Sequence, residues 1–364
     1  MKILQIIQRE QLRGAEIFAC QLSNELIKKG HEVELLVLFG KQSGILPFSQ
    51  VIHYLEANEK RKWIDFPAYR RLSQLISDGK FDLVQANAGD TLKYASISRK
   101  FFRWRAKLAF RNANKISEFL TNPVKKMVHR RLMNEVELIA SVSKECMQDF
   151  VGIFPELKRK TIYLPIGVDP VIAADQICPE DIRRLPAHPK LLHVAGFMPE
   201  KNHKGLLRIL KKVLPQHKNA CLLLVGEGKL QSEIKELVET MGLSSSVFFL
   251  GKRKDVKAIM NGCDLLVLPS LIEGLPGVIL ESFQQNLPVV AYNVGGIAEV
   301  VIDYQTGRLV RKDDEDAFAV AIEDCLRHDN LSITQAAKKL AENNYANSLI
   351  ADGFITAYAE TILN

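Results

Sequence analysis

Leu265-Leu266-Val267-Leu268-Pro269-Ser270, with Glu273-Gly274-Leu275-Pro276-Gly277-Val278-Ile279-Leu280-Glu281 close behind it, is the stretch whose reading decides the fold. The apolar run reads as a buried strand. A glycine-bearing turn follows, and then a helix over Pro276–Gln285. Proline suits a first helical turn because it has no N–H to leave unpaired. The first N–H groups of a helix lack internal partners and carry partial positive charge, so a phosphate placed there gains hydrogen bonds and a favourable dipole. Glu273 precedes this helix start and Glu281 lies along its second turn. The two carboxylates suit the hydroxyls at either end of a sugar diphosphate. Taken alone, they are equally a loop acid and a solvated helix residue.

Working outward, strand-like runs alternate with helical ones. Ile3–Ile7, Val33–Phe39, Leu83–Gln85, Lys107–Phe110, Leu138–Ser141 and Thr161–Leu164 read as strands in the first half. Leu191–Ala195, Cys221–Val225, Val247–Leu250 and Val289–Ala291 join Leu265–Leu268 in the second. Helices are expected over Ala15–Lys29, Pro67–Ser77, Leu120–Met133 and Lys144–Phe150, and then over Lys204–Leu214, Leu230–Met241, Val256–Asn261 and Asp316–Arg327. Such alternation implies parallel sheets with right-handed crossovers, which take ligands beyond the carboxyl ends of their strands. A chain of 364 residues suits two domains. The Pro-rich polar stretch 173–189, with Pro179, Pro186 and Pro189, is the expected linker between domains at 1–172 and 190–345.

The order of strand, loop, helix, Asn286-Leu287-Pro288-Val289-Val290-Ala291 and Val294-Gly295-Gly296-Ile297-Ala298-Glu299 closely resembles the donor-site signature of retaining glycosyltransferases of the GT4 type, with Gly307-Arg308-Leu309-Val310 as the next element. The resemblance implies a GT-B architecture, in which two Rossmann-like doubly wound α/β domains face one another across a cleft. It also implies a last helix, within 346–364, that crosses back to the N-terminal domain. In this resemblance Glu273 holds hydroxyls of the donor sugar and Glu281 a nucleotide ribose hydroxyl. The N–H groups of Gly274, Leu275, Gly277 and Val278 meet the diphosphate.

Other loops extend the likeness. Ala195-Gly196-Phe197-Met198-Pro199-Glu200-Lys201-Asn202 resembles the first loop of the donor domain, whose lysine meets the diphosphate; Lys201 is that candidate, a compact cation for a leaving phosphate. The family's arginine earlier in this loop is replaced by Gly196. Gly226 and Gly228 permit a sharp turn beside a nucleotide. Lys252 and Arg253 follow the third strand, where the family's loop meets the base. Arg13 and Gly14 open the first helix, with Arg13 at a position where the family usually has glycine. Two family histidines are absent, and Asn87, Asn112 and Asn114 stand near their places. These amides can hydrogen-bond a sugar or acceptor but cannot act as bases near neutral pH. They serve equally as caps of strand-to-helix turns.

Several function classes recede. Six scattered cysteines form no CxxC pair, so neither a disulfide framework nor a zinc site is indicated. Asp314-Glu315-Asp316 spells D-x-D but reads as an acidic helix start, and no metal role is expected for it. Met1-Lys2-Ile3-Leu4-Gln5-Ile6-Ile7 is too short for a signal peptide and reads as a first strand. No stretch approaches the length needed to span a bilayer. The net charge of +7 is unevenly placed: Lys93–Arg131 holds twelve Lys or Arg against Glu118 alone, with Phe101, Phe102 and Trp104 interleaved. That pattern suits an anionic membrane surface. No RNA-recognition signature accompanies it, and no nucleic acid is expected.

The expected function is therefore retaining, metal-independent transfer of a sugar from a nucleoside-diphosphate sugar to a glycan or lipid-linked acceptor. The expected setting is bacterial surface-polysaccharide or lipopolysaccharide assembly, in the cytoplasm or at the inner face of the membrane. No cofactor is expected; a UDP-sugar is the favoured co-substrate, with a GDP-sugar as alternative. A non-catalytic sugar-nucleotide-binding subunit and a two-domain epimerase or phosphorylase are the rival readings.

Overall fold

A computed structural model describes residues 1–185 and 188–363. Pro186 of the expected linker lies outside the described residues. The chain divides into two compact units, Met1–Gly167 with Asn347–Asn364, and Val168–Ala346.

In the first unit, β1 (Lys2–Arg9), α1 (Gly14–Lys28), β2 (Glu32–Phe39) and β3 (Ile52–Tyr54) are followed by α2 (Phe66–Asp78), β4 (Leu83–Ala86) and α3 (Gly89–Phe102). Then come β5 (Lys107–Asn112), α4 (Pro123–Met133), β6 (Leu138–Ser141), α5 (Lys144–Ile153) and β7 (Thr161–Tyr163). All pairings are parallel and the order is β3-β2-β1-β4-β5-β6-β7. Ile3, Leu4, Ile6 and Ile7 are all buried, as a central strand covered on both faces requires.

The second unit holds α6 (Glu180–Arg183), β8 (Lys190–Val194), α7 (His203–Val213), β9 (Cys221–Val225), α8 (Gln231–Thr240) and β10 (Val247–Gly251). It continues with α9 (Val256–Met260), β11 (Leu265–Leu268), α10 (Gly277–Gln284), β12 (Val289–Tyr292) and β13 (Arg308–Val310). Two helices, α11 (Glu315–Arg327) and α12 (Leu331–Asn344), complete it. Its parallel order, β10-β9-β8-β11-β12-β13, repeats the doubly wound plan. The last helix, α13 (Asn347–Leu363), belongs to the first unit, where Phe354 meets Phe18 of α1 at 6.0 Å between ring centroids.

The structure departs from expectation in several places. Strand β3 and helices α3 and α12 are additional. In α3 the buried face carries Thr91, Lys93, Ser96 and Ser98, which hides its apolar periodicity. Helix α10 opens at Gly277, and Pro276 is its N-cap. The described residues of the expected linker are bound to the second unit. Arg253 pairs with Asp181, Asn261 donates to the Gln176 carbonyl, and Gln285 donates to that of Asp175.

Candidate functional site

A doubly wound sheet places its ligand crevice where strand order reverses, because neighbouring loops leave on opposite faces there. In the second unit that point lies between β8 and β11. The loop after β8 carries Lys201 and the loop after β11 carries Glu273. Lys201 Nζ donates to Glu273 Oε1 at 2.7 Å, and the two side chains are 24% and 7% exposed. The two sequence candidates for catalysis thus meet across 72 positions of chain.

Backbone geometry explains the glycines around this pair. Gly295 has φ +56, and a Cβ there would lie 1.9 Å from the Glu273 carbonyl oxygen. Gly296 N–H donates to the Gly274 carbonyl at 2.5 Å. The Gly-Gly pair is what lets the loop after β12 press on the Glu273 turn. Gly226 and Gly228 are required by close backbone packing. A Cβ at Gly226 would meet the Ala195 carbonyl oxygen at 2.1 Å, and one at Gly228 the Phe197 carbonyl oxygen at 2.6 Å. Their lack of side chains seats the loop after β8, which is zipped to them by Ala195 N–H to Val225 O and Phe197 N–H to Glu227 O.

Helix α10 starts beside Glu273 with no side-chain cap. Leu275 is buried, Gly277 and Val278 form its first turn, and their N–H groups precede the intrahelical ladder. Glu281, in the next turn, is partly buried. Burial pushes its carboxyl above the usual range, and the Lys257 ammonium offsets some of that shift. Lys257 was missed by sequence reasoning. Its Nζ donates to the Asp169 carbonyl at 3.0 Å, and a solvent-like position on a short helix gave no signal. Lys252 is exposed. The Arg253 guanidinium is taken by Asp255 and Asp181, so its side chain serves the local ion pairs and the backbone of the turn is left open.

The first unit's candidates fare differently. Arg13 caps α1 through backbone geometry alone, and both it and Gly14 are exposed. Asn87 is corrected to a scaffold role: its amide donates to Gln5 Oε1 at 2.9 Å and to the Ile6 carbonyl, and accepts from Gln85 Nε2 at 3.0 Å. Asn112, also buried, donates to Ser141 Oγ and the Cys146 carbonyl, both at 3.2 Å. Only Asn114 of the three is exposed.

The basic stretch is not one surface. Lys93 is buried against Asp90 and the Trp63 ring, Arg99 pairs with Glu137, and Lys115 pairs with Glu145. Trp104 is buried. Arg111 is 4% exposed over the Phe18 ring; burial lowers its pKa to about 10, against the nearby Glu16 carboxylate. Lys100, Arg103, Arg105, Lys125, Lys126 and Arg131 stay exposed, as do Phe101 and Phe102. Among the described residues, no cluster of three or more His, Cys, Asp or Glu is placed to hold a metal, and no helix is long and apolar enough to cross a membrane.

Comparison with known proteins agrees with this geometry. A family model described as Glycosyltransferase Family 4 matches residues 12–171, and one described as Glycosyl transferases group 1 matches 180–347. N-acetyl-alpha-D-glucosaminyl L-malate synthase of Bacillus anthracis is 27% identical over 174 residues, 47% of this chain and 45% of that protein. An Escherichia coli UDP-Gal:alpha-D-GlcNAc-diphosphoundecaprenol alpha-1,3-galactosyltransferase is 31% identical over 132 residues, 35% of this chain and 34% of that one. These alignments span less than half the length of either relative. Anabaena HepE, solved with UDP-glucose, superposes with a TM-score of 0.82 at 20% identity, covering 99% of this chain and 100% of that one. Sucrose-phosphate synthase of Thermosynechococcus elongatus gives 0.82 at 19%, covering 100% and 99%. These likenesses show the shared two-domain α/β GT-B fold. With the two family models together occupying most of its length, the chain belongs to the group 1 and family 4 glycosyltransferases.

Proposed function

We propose that this protein transfers a sugar from a nucleoside-diphosphate sugar, a UDP-sugar in preference to a GDP-sugar, to a glycan or lipid-linked acceptor with retention of anomeric configuration. The observation that carries the reading is the Lys201–Glu273 pair at the strand-order reversal, beside the uncapped start of α10. Glu273 holds donor-sugar hydroxyls. Glu281 accepts from a ribose hydroxyl. Lys201 and the N–H groups of α10 stabilise the departing diphosphate, where preorganised charge is worth most. The bond from the anomeric carbon to the diphosphate oxygen breaks, and a bond to the acceptor oxygen forms on the same face. A donor phosphate oxygen takes the acceptor proton, so no side-chain base is needed and the absent histidines are tolerated. No metal enters this scheme. The UDP-glucose bound to the HepE structure supports the choice of donor.

The setting we infer is surface-polysaccharide assembly at an anionic membrane, which the likeness to a Salmonella typhi Vi polysaccharide biosynthesis protein supports, at 28% identity over 135 residues. Phe101 and Phe66, 56% and 48% exposed with rings 5.1 Å apart, stand near the exposed Lys100 and Arg103 and supply apolar and basic groups together. Flotation with anionic vesicles and not with neutral ones is expected; equal flotation defeats the membrane setting alone.

The test of the main reading is incubation with UDP-, GDP- and ADP-sugars and membrane extract. Donor consumption with transfer is expected for the wild type, and its loss in Glu273→Gln/Glu281→Gln. Saturable binding without turnover in the wild type establishes the binding-subunit reading instead.

A further inference from the structure

Beneath the Lys201–Glu273 pair runs a series of cross-loop bonds that begins with a buried histidine. Backbone pairing between β8 and β11 covers only Leu191 with Leu265 and Leu192 with Leu266, whereas β8 stays paired with β9 to Val194 and β11 with β12 to Leu268. The two strands of the crevice therefore separate at the very next residue. There the imidazole of His193 takes over, with Nδ1 2.8 Å from the Val267 carbonyl oxygen. A carbonyl can only accept, so Nδ1 carries the proton. The next contact upward is Asn202 Nδ2 to the Pro269 carbonyl at 3.0 Å, and then Leu271 N–H to the Glu200 carbonyl at 2.8 Å. Lys201 to Glu273 closes the series.

His193 is an expensive residue to place there. It is 0% exposed, and its Nε2 has no hydrogen-bond partner among the described residues. An unpaired buried polar atom is destabilising, a cost that a leucine would avoid. Burial holds the ring neutral by lowering its pKa to about 4. Its edge packs on His203 at 4.9 Å, and His203 stacks on Phe197 at 4.2 Å, so the ring is fixed from the loop side as well.

We propose that His193 is a positioning residue of the donor site: its bond to the Val267 carbonyl sets the gap between the diverging ends of β8 and β11, and hence the placement of Lys201 against Glu273. The inference rests on the donor-site reading above. Displacement of a reacting group by about 1 Å costs on the order of a hundredfold in rate.

His193→Leu removes the donor, while His193→Asn returns an N–H close to the position of Nδ1. With UDP-glucose and membrane extract, kcat is expected to fall roughly 10- to 100-fold in the leucine variant and to recover to within about threefold in the asparagine variant. Binding of UMP, which lacks the leaving phosphate that Lys201 meets, is expected to stay within about twofold in both. A purely structural role would move UMP affinity, Tm and kcat together and would overturn the inference. Should His193→Leu fail to fold, Asn202→Asp tests the next contact, because it keeps the acceptor that caps α7 at Gly205 N–H and loses the donor to Pro269. It is expected to lower kcat with unchanged UMP binding, and full activity there overturns the inference. A wild type that binds neither UDP nor UDP-glucose overturns the donor-site reading and this inference together. An active wild type matched by an equally active His193→Leu overturns this inference alone.

Discussion

The two sheets reverse strand order at equivalent places, β1 beside β4 in one unit and β8 beside β11 in the other, and the polar residues there do opposite things. In the second unit they stay in the loops, and a lysine and a glutamate 72 positions apart meet at the crevice. In the first unit they turn inward. Gln5, Gln85 and Asn87 bond one another, and Tyr358 of α13 donates to Gln85 Oε1. The same plan thus pairs charged loop residues in one unit and anchors the terminal helix in the other. The lesson is that a topological crevice supplies an opportunity, and the side chains there decide whether it is used for a ligand or for cohesion.

Acid should expose the difference most strongly. Burial keeps His193 and His203 of the second unit neutral, and His129 of the first, with His193 and His129 lowered to about 4. Each binds its proton in the unfolded chain at about 6.5, so its stabilising share is full above that pH and is lost as pH falls toward about 4. At pH 5 the loss is roughly 2 kcal/mol per imidazole. Hydrogen exchange should show the core strands of the second unit opening first as pH drops, and His203→Phe should flatten that dependence. The raised Glu281 carboxyl works in the opposite direction and opposes some of the loss.

Lys201→Ala comes next, with kcat for sugar transfer expected to fall roughly 10²- to 10³-fold in a folded protein whose Tm is lowered by the unpaired Glu273 carboxylate. Loss of fold in that variant would make the pair structural and erase the contrast between the units. Gln85→Leu addresses the other side. It leaves Asn87 and Tyr358 short of partners and should cost about 1–3 kcal/mol in denaturant unfolding, with UDP affinity unaltered. A fall in UDP affinity there would show that the first unit's network serves the donor.

The smallest effect is expected at Gly14. A Cβ there meets nothing within 4 Å, in contrast to Gly226 and Gly295. Gly14→Ala should therefore raise stability by about 0.5–1 kcal/mol through the start of α1. If activity falls while Tm rises, the space over Gly14 belongs to a ligand.

Much of the fold was legible because its cues are local. The apolar run Leu265–Leu268 reads as a strand and is one. The segment between Glu273 and Glu281 reads as a turn and helix and is both, with the helix starting one residue late because Pro276 caps it. Helix α3 escaped because Lys93, Ser96 and Ser98 occupy its buried face, where periodicity arguments look for apolar side chains. At the site, Glu273, Glu281 and Lys201 were legible as candidates through a motif. The partners of Arg253 and the presence of Lys257 were not, since neither follows from spacing.

By itself, then, the sequence determined the alternation of strands and helices, the two-unit plan and the residue types available at each strand end. Tertiary structure alone decided which polar groups are spent inside. It buried Arg111, Trp104 and Lys93 within a stretch that reads as a basic surface, and it closed Asn87 into a network in which Gln85 reaches 273 positions away to Tyr358. The reason is range: backbone propensity and turn chemistry act over a few residues, whereas a buried polar atom must find its partner wherever packing puts one.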